Sequence, residues 1–185
     1  MMETSFPCET GDVYRPYHEK QQESRCGIHV INNALGAPFQ VTVQDAMRMS
    51  KILEKKEAEF LKMKEPMPTR SFVQPGGNEL DVSVVYGLLQ SMGYNPEFTL
   101  GFSRSLRLSS TAVHDGSTFI INTNNHYVCF VLRKGVWWLH DSLKAHAEVT
   151  THANLLLTLA SDGVAHGPYG RHARKVIYFF NNKKA

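Results

Sequence analysis

The sequence predicts an α+β domain with a helical N-terminal half and an antiparallel β-sheet in its C-terminal half. Apolar residues recur at spacings of three and four from Ile28 to Leu35, Val43 to Leu61 and Leu80 to Leu89, the period of a helix. From Ser117 the period drops to two, in short runs rich in β-branched and aromatic residues. Helices first and strands second, without alternation, argue against a parallel α/β sheet.

Residues 1–16 carry Pro7, Gly11 and Pro16 without periodicity and read as a flexible leader, in which Cys8 has no visible role. A single domain is expected over 17–181, followed by a tail at 182–185. Ser24 is a good N-cap, which puts Cys26 at the second position of a helix. Ile28, Ile31 and Leu35 give that helix one buried stripe, and Gly36 suits a left-handed stop. Thr42 or Gln44-Asp45 opens one long or two shorter helices over 42–64, charged and methionine-bearing, a surface adaptable to a partner. Pro66, Pro68, Pro75, Gly76 and Gly77 mark a loop. Asn78 is expected to cap a helix over Leu80 to Met92 that ends at Gly93, and a polar stretch from Ser103 to Gly116 leads to the strands.

Those strands are Thr118–Asn122, Tyr127–Leu132, Val136–His140 and Lys175–Phe180. A turn at Lys134-Gly135 joins the middle two. Between the last two, Thr150 or Thr151 caps a helix running to Ala160, closed by Asp162-Gly163.

The 185 residues suffice for one domain with a real core; hydrophobic residues make up 42% and charged residues 20%. A net charge of +3, scattered along the chain, gives no footprint for nucleic acid, and Lys183-Lys184 reads as a solvated tail. Three widely spaced cysteines cannot build a disulfide framework, which favours a reducing compartment. Neither a signal peptide nor a membrane span is legible. The cytoplasm or the nucleus is the expected location, and a monomer the expected state.

Cys26 carries the chemistry. A sulfur in a first helical turn meets unpaired N–H groups and the positive end of the helix dipole, which favour thiolate over thiol. Gly27 lets another backbone approach closely, and Gln21, five residues upstream, can aim an amide N–H at the same point as an oxyanion donor. The plain alternative is a small buried hydrophobe, the commoner fate of a lone cysteine.

A nucleophilic thiolate needs a base, and the base an orienter. Among nine histidines, His126 is the candidate, because it begins a strand after Asn124-Asn125 and so stands at the sheet's end. With Lys134-Gly135 as a two-residue turn, Arg133 faces Val136 and His126 falls opposite Leu143. Asp141 then lies diagonal to His126 on the same face, at roughly 7 Å or less between Cβ atoms. An odd-numbered loop would send it to the other face. Cysteine, histidine, aspartate is the chain order of papain-like enzymes.

Duller roles are expected elsewhere. His18 and His29 pack or hydrogen-bond locally, His140 points to the outer face, and His166 and His172 lie exposed in a loop. A metal site from His126, Cys129, His140 and His146 matches no compact ligand spacing and is not expected. Trp137 and Trp138 are adjacent, so one must face outward or be covered.

At these residues the chain resembles the Josephin family of deubiquitinases, which have a papain-like fold. The likeness runs from Tyr17 to Phe180. Its most specific part is His18-Glu19-Lys20-Gln21 followed by Cys26, His29 and Asn32-Asn33-Ala34-Leu35. Gly77-Asn78 leading to Asp81-Val82, His126 before a strand, and Leu139-His140-Asp141-Ser142-Leu143 keep the same order. The resemblance implies Cys26 as nucleophile, His126 as general base and acid, Asp141 as orienter and Gln21 as oxyanion donor. It implies ubiquitin or polyubiquitin as substrate, cut after the C-terminal glycine, with no cofactor. A glycine-only tail would enter a slot beside Gly27, walled by Trp137 or Trp138. Two other readings share these residues: an idle ubiquitin-binding module, and a peptidase that trims double-glycine leaders.

Overall fold

The computed structural model describes residues 14–23, 25–62, 80–100, 113–123, 126–160, 165–166, 172–173 and 176–181. Cys8, Ser24, the loop at 65–77, Asn78, most of the 103–116 linker, Asp162-Gly163 and Lys175 lie outside the described residues. In chain order the helices are α1 (Cys26–Leu35), α2 (Val43–Lys62), α3 (Val82–Ser91) and α4 (His152–Ala160). The strands are β1 (Glu97–Leu100), β2 (Ser117–Thr123), β3 (His126–Arg133), β4 (Val136–Asp141), β5 (Glu148–Thr150), β6 (Ala165–His166), β7 (His172–Ala173) and β8 (Val176–Asn181).

The main sheet has six antiparallel strands in the order β1-β8-β2-β3-β4-β5. The four expected strands are its middle, β8, β2, β3 and β4. Neither edge strand is legible in the sequence, since three or four residues are too few to display a period of two. Glu97–Leu100 and Glu148–Thr150 are strands because β8 and β4 offer them free edges. His166 and His172, expected in a loop, are register partners in a separate two-stranded ribbon.

Strand alternation gives the sheet two apolar faces. Ile28, Ile31, Val85 and Leu89 of α1 and α3 pack with Ile120, Tyr127, Cys129 and Tyr178 on one. Leu155 and Leu159 of α4 pack with Phe119, Phe130, Trp137 and Ile177 on the other. Each large apolar side chain buried this way stabilises by roughly 1.5–3 kcal/mol.

Local chemistry sets the helix limits. Helix α1 opens one residue later than expected. Arg25 is the N-cap, without a side-chain bond to the helix, and Cys26 is the first helical residue. A guanidinium has no acceptor to offer the first-turn amides, and Arg25 pairs instead with Glu23 at 2.6 Å. The other end is as expected: Gly36 has φ +76° and donates its N–H to Asn32 O at 2.8 Å. Arg133 of β3 donates to Ala34 O at 3.1 Å, setting a cation at the negative end of the helix.

The segment from 43 onward is one unbroken helix of 20 residues, since it holds neither glycine nor proline. Thr42 and Asp45 cap it reciprocally: Asp45 N–H donates to Thr42 Oγ1, and Thr42 N–H to Asp45 Oδ2 at 2.9 Å. Helix α3 starts two residues later than expected, because Asp81 is the cap and accepts from Ser83 N–H at 2.8 Å. That leaves Leu80 outside the helix, buried beside the site described next.

Candidate active site

Three elements converge: the start of α1, the start of β3 and the end of β4. The turn between the strands has Lys134 at φ +52° and Gly135 at φ +74°, the left-handed pair of a two-residue hairpin. Arg133 therefore pairs with Val136 and Val128 with Asp141, which sets Asp141 on the diagonal from His126. His126 Nε2 lies 2.8 Å from Asp141 Oδ1. The backbone N–H of Leu143 donates to that same oxygen at 3.0 Å and fixes the carboxylate.

With Nε2 taken, the ring's Nδ1 is left for the sulfur. Cys26 is buried, 7% exposed, and its side chain hydrogen-bonds His126. That bond is the main reason the imidazole's pKa rises above its ordinary value; burial works against it, and Asp141 adds to it. Sulfur, imidazole and carboxylate thus form one continuous chain. Cys129 is the contrast. It is fully buried in the face under α1, its Sγ 3.7 Å from Val30 O, and burial pushes its thiol pKa far up. It stays a thiol.

Gln21 is held by the residue after Asp141. Its backbone N–H donates to Ser142 O at 2.8 Å, and Ser142 Oγ donates to its side-chain Oε1 at 2.9 Å. Ser142 is 1% exposed. Sequence periodicity assigns it no role, because it lies in the turn just past the end of β4.

The preceding residues form a strap tied to α1 and to β4. Glu19 N–H donates to Asn33 Oδ1 at 2.6 Å, and Asn33 Nδ2 donates back to Glu19 O at 3.1 Å. The Glu19 carboxylate accepts from His29 Nδ1 at 2.6 Å, Asn32 Nδ2 at 2.9 Å and Tyr17 Oη. Burial favours its neutral form, but these bonds together outweigh it and hold the pKa below the ordinary value. Gln22 N–H donates to His29 Nε2 at 3.2 Å, which makes Nδ1 the protonated nitrogen of that ring. The local role expected for His29 is the observed one. That for His18 is not, because its partners are distant in sequence, His140 and Lys144 O.

Three expectations need correction. His140 is buried at 1% exposure, not on an outer face. It pairs with Cys129 and so faces the side on which α1 lies, stacked on His18 with ring centroids 5.4 Å apart. Trp137 packs on the α4 side against Phe119 and His152 and is no wall for Gly27. Trp138 points to the opposite face, buried, with Tyr14 edge-on at 6.1 Å. The side chain over Gly27 is Leu80: a Cβ added at Gly27 would lie 3.0 Å from Leu80 Cβ. Tyr127 Oη donates to Leu80 O at 3.1 Å and ties this wall to the residue after the base. Among the described residues, no group of three or more His, Cys, Asp or Glu side chains is placed to hold a metal ion.

The arrangement is suited to nucleophilic attack on a carbonyl: a thiol beside an imidazole, an oriented base, and an amide within the same loop cluster. No curated protein matches the chain. The family model named Josephin matches residues 21–164, most of the chain, a span that includes Cys26, His126 and Asp141. The chain belongs to the Josephin family, whose members are generally deubiquitinating cysteine proteases.

Proposed function

We propose that the protein is a deubiquitinating cysteine protease that cuts the peptide or isopeptide bond after the C-terminal glycine of ubiquitin. The observation that carries this reading is the hydrogen-bonded chain Cys26–His126–Asp141. The Cys26 thiolate attacks the glycine carbonyl carbon, and the carbonyl π pair moves onto oxygen, where the Gln21 amide N–H stabilises it. Collapse expels the lysine amine, which takes its proton from the His126 imidazolium, and leaves a thioester. His126 then removes a proton from water, whose oxygen attacks the thioester and releases the ubiquitin carboxylate and the thiolate. Asp141 holds the ring and stabilises its charged form throughout.

Leu80 over Gly27 narrows the approach to the sulfur, which suits a substrate tail of glycines. A ubiquitin probe with a C-terminal electrophile is expected to label the protein at Cys26 and to leave Cys26→Ala unlabelled. Labelling at Cys8 or Cys129, or none with a thiol still reactive to iodoacetamide, overturns the proposal.

A further inference from the structure

We infer that Ser142 is a positioning residue for catalysis: its hydroxyl holds the carbonyl end of the Gln21 side chain, so that the amide's donor end faces Cys26. The inference rests on the reading of Gln21 as oxyanion donor. A primary amide has one acceptor end and one donor end, and whatever fixes the first decides where the second points. Ser142 Oγ, buried and 2.9 Å from Gln21 Oε1, supplies that fixed donor. A second bond, from Gln21 N–H to Ser142 O at 2.8 Å, locks the backbone beneath the side chain. The amide is thereby set before substrate arrives, and no rotor has to be frozen in the transition state.

The geometry also places two duties on one dipeptide. Asp141 orients the base and Ser142 the oxyanion donor, on opposite sides of the same backbone. A shift of the end of β4 would misplace both, whereas removal of the Ser142 hydroxyl should disturb Gln21 alone.

The test uses the full chain and ubiquitin carrying a C-terminal fluorogenic amide. Ser142→Ala is expected to lower kcat about 10- to 100-fold with KM little changed, short of the ~10²–10³-fold cost of deleting an oxyanion donor outright. Iodoacetamide needs the thiolate but no oxyanion donor, so its rate of reaction with Cys26 should be unchanged. Ser142→Thr, which keeps the hydroxyl, should recover most of kcat. In a Gln21→Ala background, adding Ser142→Ala should cost almost nothing.

Equal kcat for Ser142→Ala and the wild type overturns the inference while leaving the proposed function standing. So does an undiminished Ser142→Ala effect in the Gln21→Ala background, which carries the test should Ser142→Thr fail to fold. A fall in alkylation rate parallel to kcat overturns it as well, since Ser142 would then act through Asp141 and His126. A wild type that reacts with iodoacetamide but never turns over ubiquitin overturns the substrate, and the inference with it.

Discussion

Asp141 does two things to His126 that one substitution can separate. Its oxygen fixes the ring through the 2.8 Å bond to Nε2, and its charge helps raise the imidazole's pKa. In the proposed mechanism the imidazolium protonates the leaving amine, so the alkaline limb of the pH–kcat/KM profile should lie above the ordinary histidine value of 6.5. Asp141→Asn keeps a polar partner of the same shape and removes the charge. Its alkaline limb should move down towards 6.5, and kcat should fall as the imidazolium loses support. A limb that stays where the wild type has it would show that the charge of Asp141 does not reach the ring. The bond from Cys26, the largest contribution, is untouched by this change, so the limb should move only part of the way.

The elements were legible where their signals were long or covalently short-ranged. The hairpin of β3 and β4 follows from Lys134-Gly135 alone, and its register brings His126 and Asp141 together by arithmetic. Helix α1 and its glycine stop were equally plain. Leu80 was not, because its place is set by a cap one residue on, Asp81, and by Tyr127 from a distant strand. Trp137 and Trp138 show a similar limit: alternation separates them onto two faces, but only tertiary packing says that α4 covers Trp137 and that Tyr14 meets Trp138. The contact of Gly27 with Leu80 gives this scale its prediction. Gly27→Ala should destabilise the fold by about 1–3 kcal/mol through overpacking, read as a drop in denaturation midpoint. Leu80→Ala, a large-to-small change in a buried wall, should cost about 2–5 kcal/mol by itself. The double variant should lose less than the two costs combined, because Leu80→Ala removes the Cγ and Cδ1 atoms that the new methyl would meet at 3.1 Å, although Cβ remains. Strict additivity would mean that the two residues do not press on each other.

Across the whole molecule, the strap and the sheet face beneath it make stability depend on pH through three named groups. His18 Nε2 donates to Lys144 O at 3.1 Å, since a carbonyl only accepts, and His18 Nδ1 lies 3.3 Å from His140 Nδ1. The other ring nitrogen of His140, Nε2, is buried without a partner among the described residues. Burial, with the charges of His18 and Arg133, pulls the His140 pKa from 6.5 to about 3. Between those values the unfolded chain binds a proton that the folded one refuses, so stability falls as pH drops from 6.5 towards 3. Glu19 adds a later step with the same sign. Its pKa is held below the ordinary 4.5, so its contribution is present above 4.5 and lost as pH falls through the lower folded value. His126 works on the alkaline side: raised above 6.5 in the fold, it contributes fully below 6.5 and is lost as pH rises through its folded value. Together these three place their combined maximum near pH 6.5. His140→Leu deletes the first acid step, and urea titrations of this variant should show a flatter loss of stability between pH 6.5 and 4.5 than the wild type. Glu19→Gln should leave that upper range alone and flatten the loss below 4.5. If His140→Leu loses stability as steeply as the wild type between 6.5 and 4.5, the buried imidazole is not the acid-sensitive group, and the stacked pair is only packing.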